Sequence, residues 1–245
     1  LNQLRIPRWM RGIFIANLVA QSGIIVTGAV VRLTGSGLGC PTWPQCVEGS
    51  YTPTARQEEA FHKYIEFGNR LLTFVLVIIA IAVLVSIFID ARARRRLGVP
   101  QRWAIIVLAI IPFVGTATQA VLGGITVLTG LNPLIVSAHF LVSILLVAAA
   151  VALVARSGDI GDRPVVFLAP TPVRSLSWLL VGVAAIVVVL GVITTGSGPH
   201  SGDPDTEARF SFDPQTVSLM HADSVFLFIG LLIGLLVTLM LFTST

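Results

Sequence analysis

The sequence predicts an all-α, polytopic membrane protein, a four-helix bundle followed by the first two helices of a second, repeated bundle. Three observations predict it. Hydrophobic residues make up 55% of the 245 and charged residues 11%, whereas soluble chains carry roughly 25% charge. Mean hydropathy is +0.90, concentrated in runs of about twenty residues or more, the length that crosses roughly 30 Å of hydrocarbon. Basic residues gather at alternate connections between those runs, as orientation in a membrane requires. A water-soluble globule is excluded, and the net charge of +4 is an orientation signal that implies no nucleic-acid partner.

Six spans follow in order, near 12–33, 64–89, 103–128, 133–155, 175–195 and 215–241. Arg5, Arg8 and Arg11 precede the first; Arg92, Arg94, Arg95, Arg96 and Arg102 separate the second from the third; Arg156, Arg163 and Arg174 separate the fourth from the fifth. These connections are expected in the cytoplasm, together with the N-terminus. The 196–214 loop, with Asp203, Asp205, Glu207 and Asp213 against Arg209, is expected outside. The first run is too long for a cleaved signal and lacks a small-residue cleavage site. Cys40 and Cys46 lie on the expected outer side, where a disulfide is the default pairing. A redox role for the pair stays open.

Thr34-Gly35-Ser36-Gly37 at the end of the first span recurs as Thr195-Gly196-Ser197-Gly198 at the end of the fifth. Each copy leads through an outer loop into a helix with a histidine near its start. A duplicated four-helix unit follows, residues 1–160 being the first copy and 161–245 the first half of the second. Two further spans and a fourth ligand histidine are expected beyond Thr245, and the chain reads as a fragment.

Three histidines carry the chemistry. Thr54 to Gln57 has a capping-box pattern, and Asn132-Pro133 and Asp213-Pro214 each place proline after an N-cap residue. Counted from those caps, His62, His139 and His221 all lie about 11 to 12 Å into helices entering from the outside. An ionisable group inside a span marks a functional site by default. His62 and His139 are expected to coordinate one metal from opposite walls of a bundle, the geometry that holds a haem. Bare zinc is disfavoured because no third ligand stands beside them. His200, in Gly-Pro-His, is expected to be solvated.

At about 100° per residue, Glu66 and Asn69 share the stripe of His62. Glu66 is a candidate to hold or pass a proton. The alternative is an ion pair with Arg70 at i, i+4. Arg32 and Arg70 are candidates to meet acidic groups of a ligand, with snorkelling the other reading for Arg32.

The run from Val26 through Arg32, Thr34-Gly35-Ser36-Gly37 and Cys40 to Cys46 closely resembles the first-span signature of haem A synthases. Glu66 to Arg70 resembles that family's Glu-x-x-His-Arg motif, and Thr195 to Asp203 its Thr-Gly-x-Ser-Gly-Pro-His-x-Gly-Asp loop. The resemblance implies an eight-span enzyme of two four-helix halves, one taking haem O as substrate, the other holding haem b. It implies oxidation of a haem O methyl to the formyl of haem A, by successive hydroxylations. The sequence departs from the motif at Asn69, where the family has histidine; the depth count puts His62 forward instead. An electron donor, the enzyme that makes haem O, cytochrome oxidase assembly factors and the bilayer of a bacterial plasma membrane are the partners implied, with homo-oligomerisation left open. A haem carrier that only passes electrons, near the b-type cytochromes, is the alternative. A cofactor-free transporter is the third class.

Overall fold

A computed structural model describes residues 5–55, 57–158, 169–199, 202–203 and 205–243. Arg163 and His200, both singled out above, lie outside the described residues, as does part of the second glycine-rich loop. Among the described residues six helices follow in order: α1 (Arg8–Leu33), α2 (His62–Arg96), α3 (Trp103–Leu128), α4 (Pro133–Arg156), α5 (Thr171–Ser197) and α6 (Pro214–Thr243). All six are long and apolar enough to span a membrane, and the described residues contain no β-strand, only an isolated bridge between Val47 and Ser50. The protein is an all-α, multi-pass membrane protein. In hydrocarbon a helix satisfies its own backbone polar groups, which is why apolar runs of this length settle on it.

The chain divides into two compact units. In the first, residues 1–164 with 200–208, α1 to α4 form a closed ring in which each helix packs on the next and α4 returns to α1. Phe14, Val83, Ile87, Ile105, Ala109 and Leu153 make an apolar core drawn from all four helices. That core sits at the end remote from the cysteine loop; the other end is lined by polar residues and glycines. The second unit, residues 165–199 with 209–245, is the packed pair α5 and α6.

Helix ends follow the sequence at α4 and α6. Asn132 Oδ1 accepts from the Leu134 amide at 3.0 Å, and Asp213 Oδ2 accepts from the Thr216 amide and hydroxyl at 2.8 and 2.6 Å. These are the side-chain caps expected there.

The start of α2 differs from expectation. Gln57 Oε1 does accept from the Thr54 amide at 2.7 Å, half of a capping box. The turn does not propagate into a helix, because Ala60 at φ +45° breaks it and α2 begins at His62. His62 is therefore the first residue of α2, whereas His139 and His221 are the seventh of α4 and the eighth of α6. The shared depth holds for two histidines, not three.

The repeated tetrapeptide also diverges. After α1, Gly35 adopts φ +66° and the Ser36 amide returns to the Val31 carbonyl at 2.8 Å, a left-handed glycine cap. In the second copy, α5 runs on through Ser197 and ends at an extended Gly198. Pro199 follows there, and a residue before proline is driven from helical to extended backbone.

Candidate functional site

The cysteine loop is anchored on the first turns of α2. Gly39 lies against the His62 backbone so closely that a Cβ there would stand 2.5 Å from the His62 carbonyl oxygen. Only a residue without a side chain permits this approach. It brings Cys40 over the next two turns of the helix. The Cys40 amide donates to Glu66 Oε2 at 2.7 Å, and Arg70 Nη2 donates to the Cys40 carbonyl at 2.7 Å. Arg70 also donates to the carbonyls of Thr42 and Gln45 at 3.0 and 3.2 Å, and to Glu66 Oε1 from Nε and Nη2 at 3.0 and 2.6 Å. Of the two readings left open for Glu66, the structure contains the ion pair. The carboxylate is buried, 5% exposed, and both oxygens are engaged.

Cys40 and Cys46 are disulfide-bonded and buried. The loop they close places the indole of Trp43 on Gly124 of α3, where an added Cβ would meet Cδ2 at 2.4 Å. Lys63 is buried beside them, its Nζ donating to the Thr54 carbonyl at 2.8 Å. A cleft of about 360 Å³ opens at the loop surface between Thr42, Trp43, Gln45, Glu48 and Tyr51; no histidine lines it.

The structure places the predicted ligands in different surroundings. His62 Nδ1 is 2.8 Å from Ser36 Oγ, and its ring stacks on Phe61 with centroids 4.1 Å apart. His139 lies instead on α4 against α3, its Cε1 at 3.4 Å from where a Gly123 Cβ would be. No contact joins the two rings, and no cluster of three metal-binding side chains occurs among the described residues. Asn69 accepts at Oδ1 from Thr27 Oγ1 at 2.7 Å, tying α2 to α1. The Arg32 stem passes near Gly202, whose carbonyl accepts from the Gly37 amide at 2.7 Å.

His139 and His221 share a local design. In the second unit, the Cε1 of His221 lies 3.1 Å from where a Gly191 Cβ on α5 would be. Each imidazole thus sits in the second or third turn of its helix, against a glycine of the preceding helix. In each, Nδ1 is buried without a hydrogen-bond partner. A buried polar atom left unpaired costs free energy, so each of these nitrogens calls for a partner beyond the described side chains.

Sequence reasoning missed Gln119. Its Nε2 donates to the His139 carbonyl at 2.9 Å and to Ser143 Oγ. The signal was present: Gly115, Gln119 and Gly123 recur every fourth residue, one face of α3. Gln21 of α1, one turn past buried Asn17, donates from Nε2 to Thr116 Oγ1 at 3.3 Å. Polar side chains therefore populate the interior of the four-helix ring.

The model of the cytochrome oxidase assembly protein family matches residues 11–200. Among curated proteins, the chain is similar to Heme A synthase of Geobacillus thermodenitrificans, 32% identical over 117 residues, 47% of this chain and 32% of that one. It is similar to Heme A synthase of Lysinibacillus sphaericus, 32% identical over 143 residues, 58% of this chain and 43% of the relative. With Heme A synthase of Listeria monocytogenes it shares 31% over 124 residues, 51% and 36% of the two chains. The matched region thus spans less than half the length of these relatives. No solved structure matches. With the family's region running from α1 through the end of α5, and with the cysteine loop, the Glu66–Arg70 pair and His139 all inside it, the chain belongs to the cytochrome oxidase assembly protein family.

Proposed function

We propose that the chain is the haem-handling part of a haem A synthase, an oxidoreductase that converts haem O to haem A. The observation that carries this reading is the recurrence in both units of a helix histidine seated on a glycine with Nδ1 buried and unpartnered. An imidazole so placed has a buried ring nitrogen that the protein leaves uncommitted, and a haem ligand needs one nitrogen for the iron and the other for an acceptor or water. In this reading His139 holds the substrate haem O in the N-terminal bundle, residues 1–160. His221 holds haem b in the C-terminal half, residues 161–245, with Cys40 and Cys46 outside and the N-terminus in the bacterial cytoplasm. Bound haem supplies the oxidising power.

The protein's own part is position and electrostatics. Asn69, where the family motif has histidine, braces α2 on α1 through Thr27. In this reading Arg32 meets a ligand's carboxylate, and Arg70 would do so only by giving up its bonds to Glu66 and the loop carbonyls. Glu66 stabilises developing positive charge at the methyl or moves its proton; to do the second it must give up Arg70 or the Cys40 amide. His62 remains the other candidate ligand: with Nδ1 held by Ser36 at 2.8 Å, Nε2 would be the nitrogen offered to an iron. An electron donor and the enzyme supplying haem O complete the set of partners.

Extraction of pigment from the protein produced with haem O available tests the reading. Haem A or a hydroxylated intermediate is expected; a colourless protein would overturn it. Glu66→Gln is expected to lower haem A yield, and an unchanged yield removes that residue's role. His62→Ala with an unaltered haem spectrum removes the ligand role of His62. The full engagement of both Glu66 oxygens favours one second reading, a b-type haem protein that only passes electrons. Haem b as the sole pigment would establish that instead.

A further inference from the structure

We propose that Gln119 is the residue that orients His139, its side-chain oxygen taking the Nδ1 proton of the imidazole through one buried water. This rests on the reading of His139 as a haem ligand.

The face of α3 that meets α4 is built from Gly115, Gln119 and Gly123, one residue per turn. They face Leu146, then Ser143 and the His139 carbonyl, then the His139 ring, as the antiparallel run of α4 requires. The two glycines let the helices close together, and small residues at such contacts are how membrane helices pack. Between them stands one long amide. Its nitrogen is fixed, because the His139 carbonyl can only accept and the bond therefore identifies Nε2. The other end of the same amide, Oε1, is buried with no partner.

His139 Nδ1 is likewise buried with no partner. An orphaned acceptor and an orphaned ring nitrogen thus lie on neighbouring turns of one helix contact. The amide is tethered 2.9 Å from the carbonyl of the very residue that carries the ring, and the proposal places one water between Oε1 and Nδ1. Left apart, each would cost free energy; joined, they satisfy each other and hold the ring in one tautomer. With Nδ1–H committed to Gln119, Nε2 is the nitrogen left to an iron. The second unit has Val187 one turn before Gly191, so His221 is not held by this device.

The test titrates the purified full chain in detergent with haemin and records affinity, the EPR g-values of the ferric form and the midpoint potential. Gln119→Leu is expected to weaken haemin binding at the His139 site about 10- to 100-fold, with altered g-values. Gln119→Glu keeps an acceptor but loses the donor to the His139 carbonyl. It is expected to retain affinity within a few-fold and to lower the potential. A merely structural amide predicts the reverse, with Glu failing as badly as Leu, and that result overturns the proposal. Gln119→Met replaces Leu if the latter does not insert. Loss of binding in His139→Ala together with wild-type binding in Gln119→Leu overturns the proposal alone. Wild-type binding in His139→Ala overturns the ligand reading, and the proposal with it.

Discussion

Gly39 and Arg70 show how single residues fix the cysteine loop. A methyl at Gly39 would enter the His62 carbonyl at 2.5 Å, and two backbones cannot both yield cheaply. Gly39→Ala is expected to cost about 1–3 kcal/mol and to speed reduction of the Cys40–Cys46 disulfide by added thiol, both read on purified protein. Arg70 neutralises Glu66 and holds three loop carbonyls. Arg70→Met leaves a buried carboxylate without its cation, and a loss of about 2–4 kcal/mol is expected. The double variant Glu66→Leu with Arg70→Met should cost less than the two single changes added together, by about 0.5–3 kcal/mol; strict additivity in thermal unfolding would contradict the pairing. The i, i+4 spacing made this pair legible in the sequence. That its other partners are the main chain of Cys40, Thr42 and Gln45 was not, because those contacts span some thirty residues.

At the scale of helices, the caps separate local from distant control. Asn132 and Asp213 cap as their sequence states, because a capping side chain reaches only two or three residues. Asn132→Ala is expected to cost about 1 kcal/mol, measured by chemical denaturation. Asp213 carries a pH dependence. Its hydrogen bonds from the Thr216 hydroxyl and amide hold its carboxyl below the usual carboxylate value. Its contribution is therefore complete above roughly pH 3.9, the ordinary aspartate value, and is lost as pH falls through the lower folded value. The stability gap between the wild type and Asp213→Asn is expected to shrink on acidification through that window. A constant gap would refute the assignment. Thr54 has the same local signal and yet starts no helix, since Ala60 at φ +45° and the seating of Gly39 on His62 fix where α2 begins. Tertiary contact overrode the cap there.

For the molecule as a whole, two units each present one glycine-seated histidine. If both hold haem, His139→Ala and His221→Ala are expected to remove different bands from the low-temperature spectrum, with the double variant losing both; one variant removing everything would contradict two sites. Six spans, the two sound caps and the disulfide loop were all in the sequence, because hydropathy, capping and a short cysteine spacing act within a single segment and the bilayer leaves such a segment few alternatives. The sequence also held the period-four face of α3. What the tertiary structure decided was which of the candidates face one another. It gave Glu66 to Arg70 and Cys40, gave His62 to Ser36, and seated His139 on Gly123 beside Gln119. Those pairings depend on how four helices close into a ring and how the loop folds over it, and no segment by itself contains that geometry.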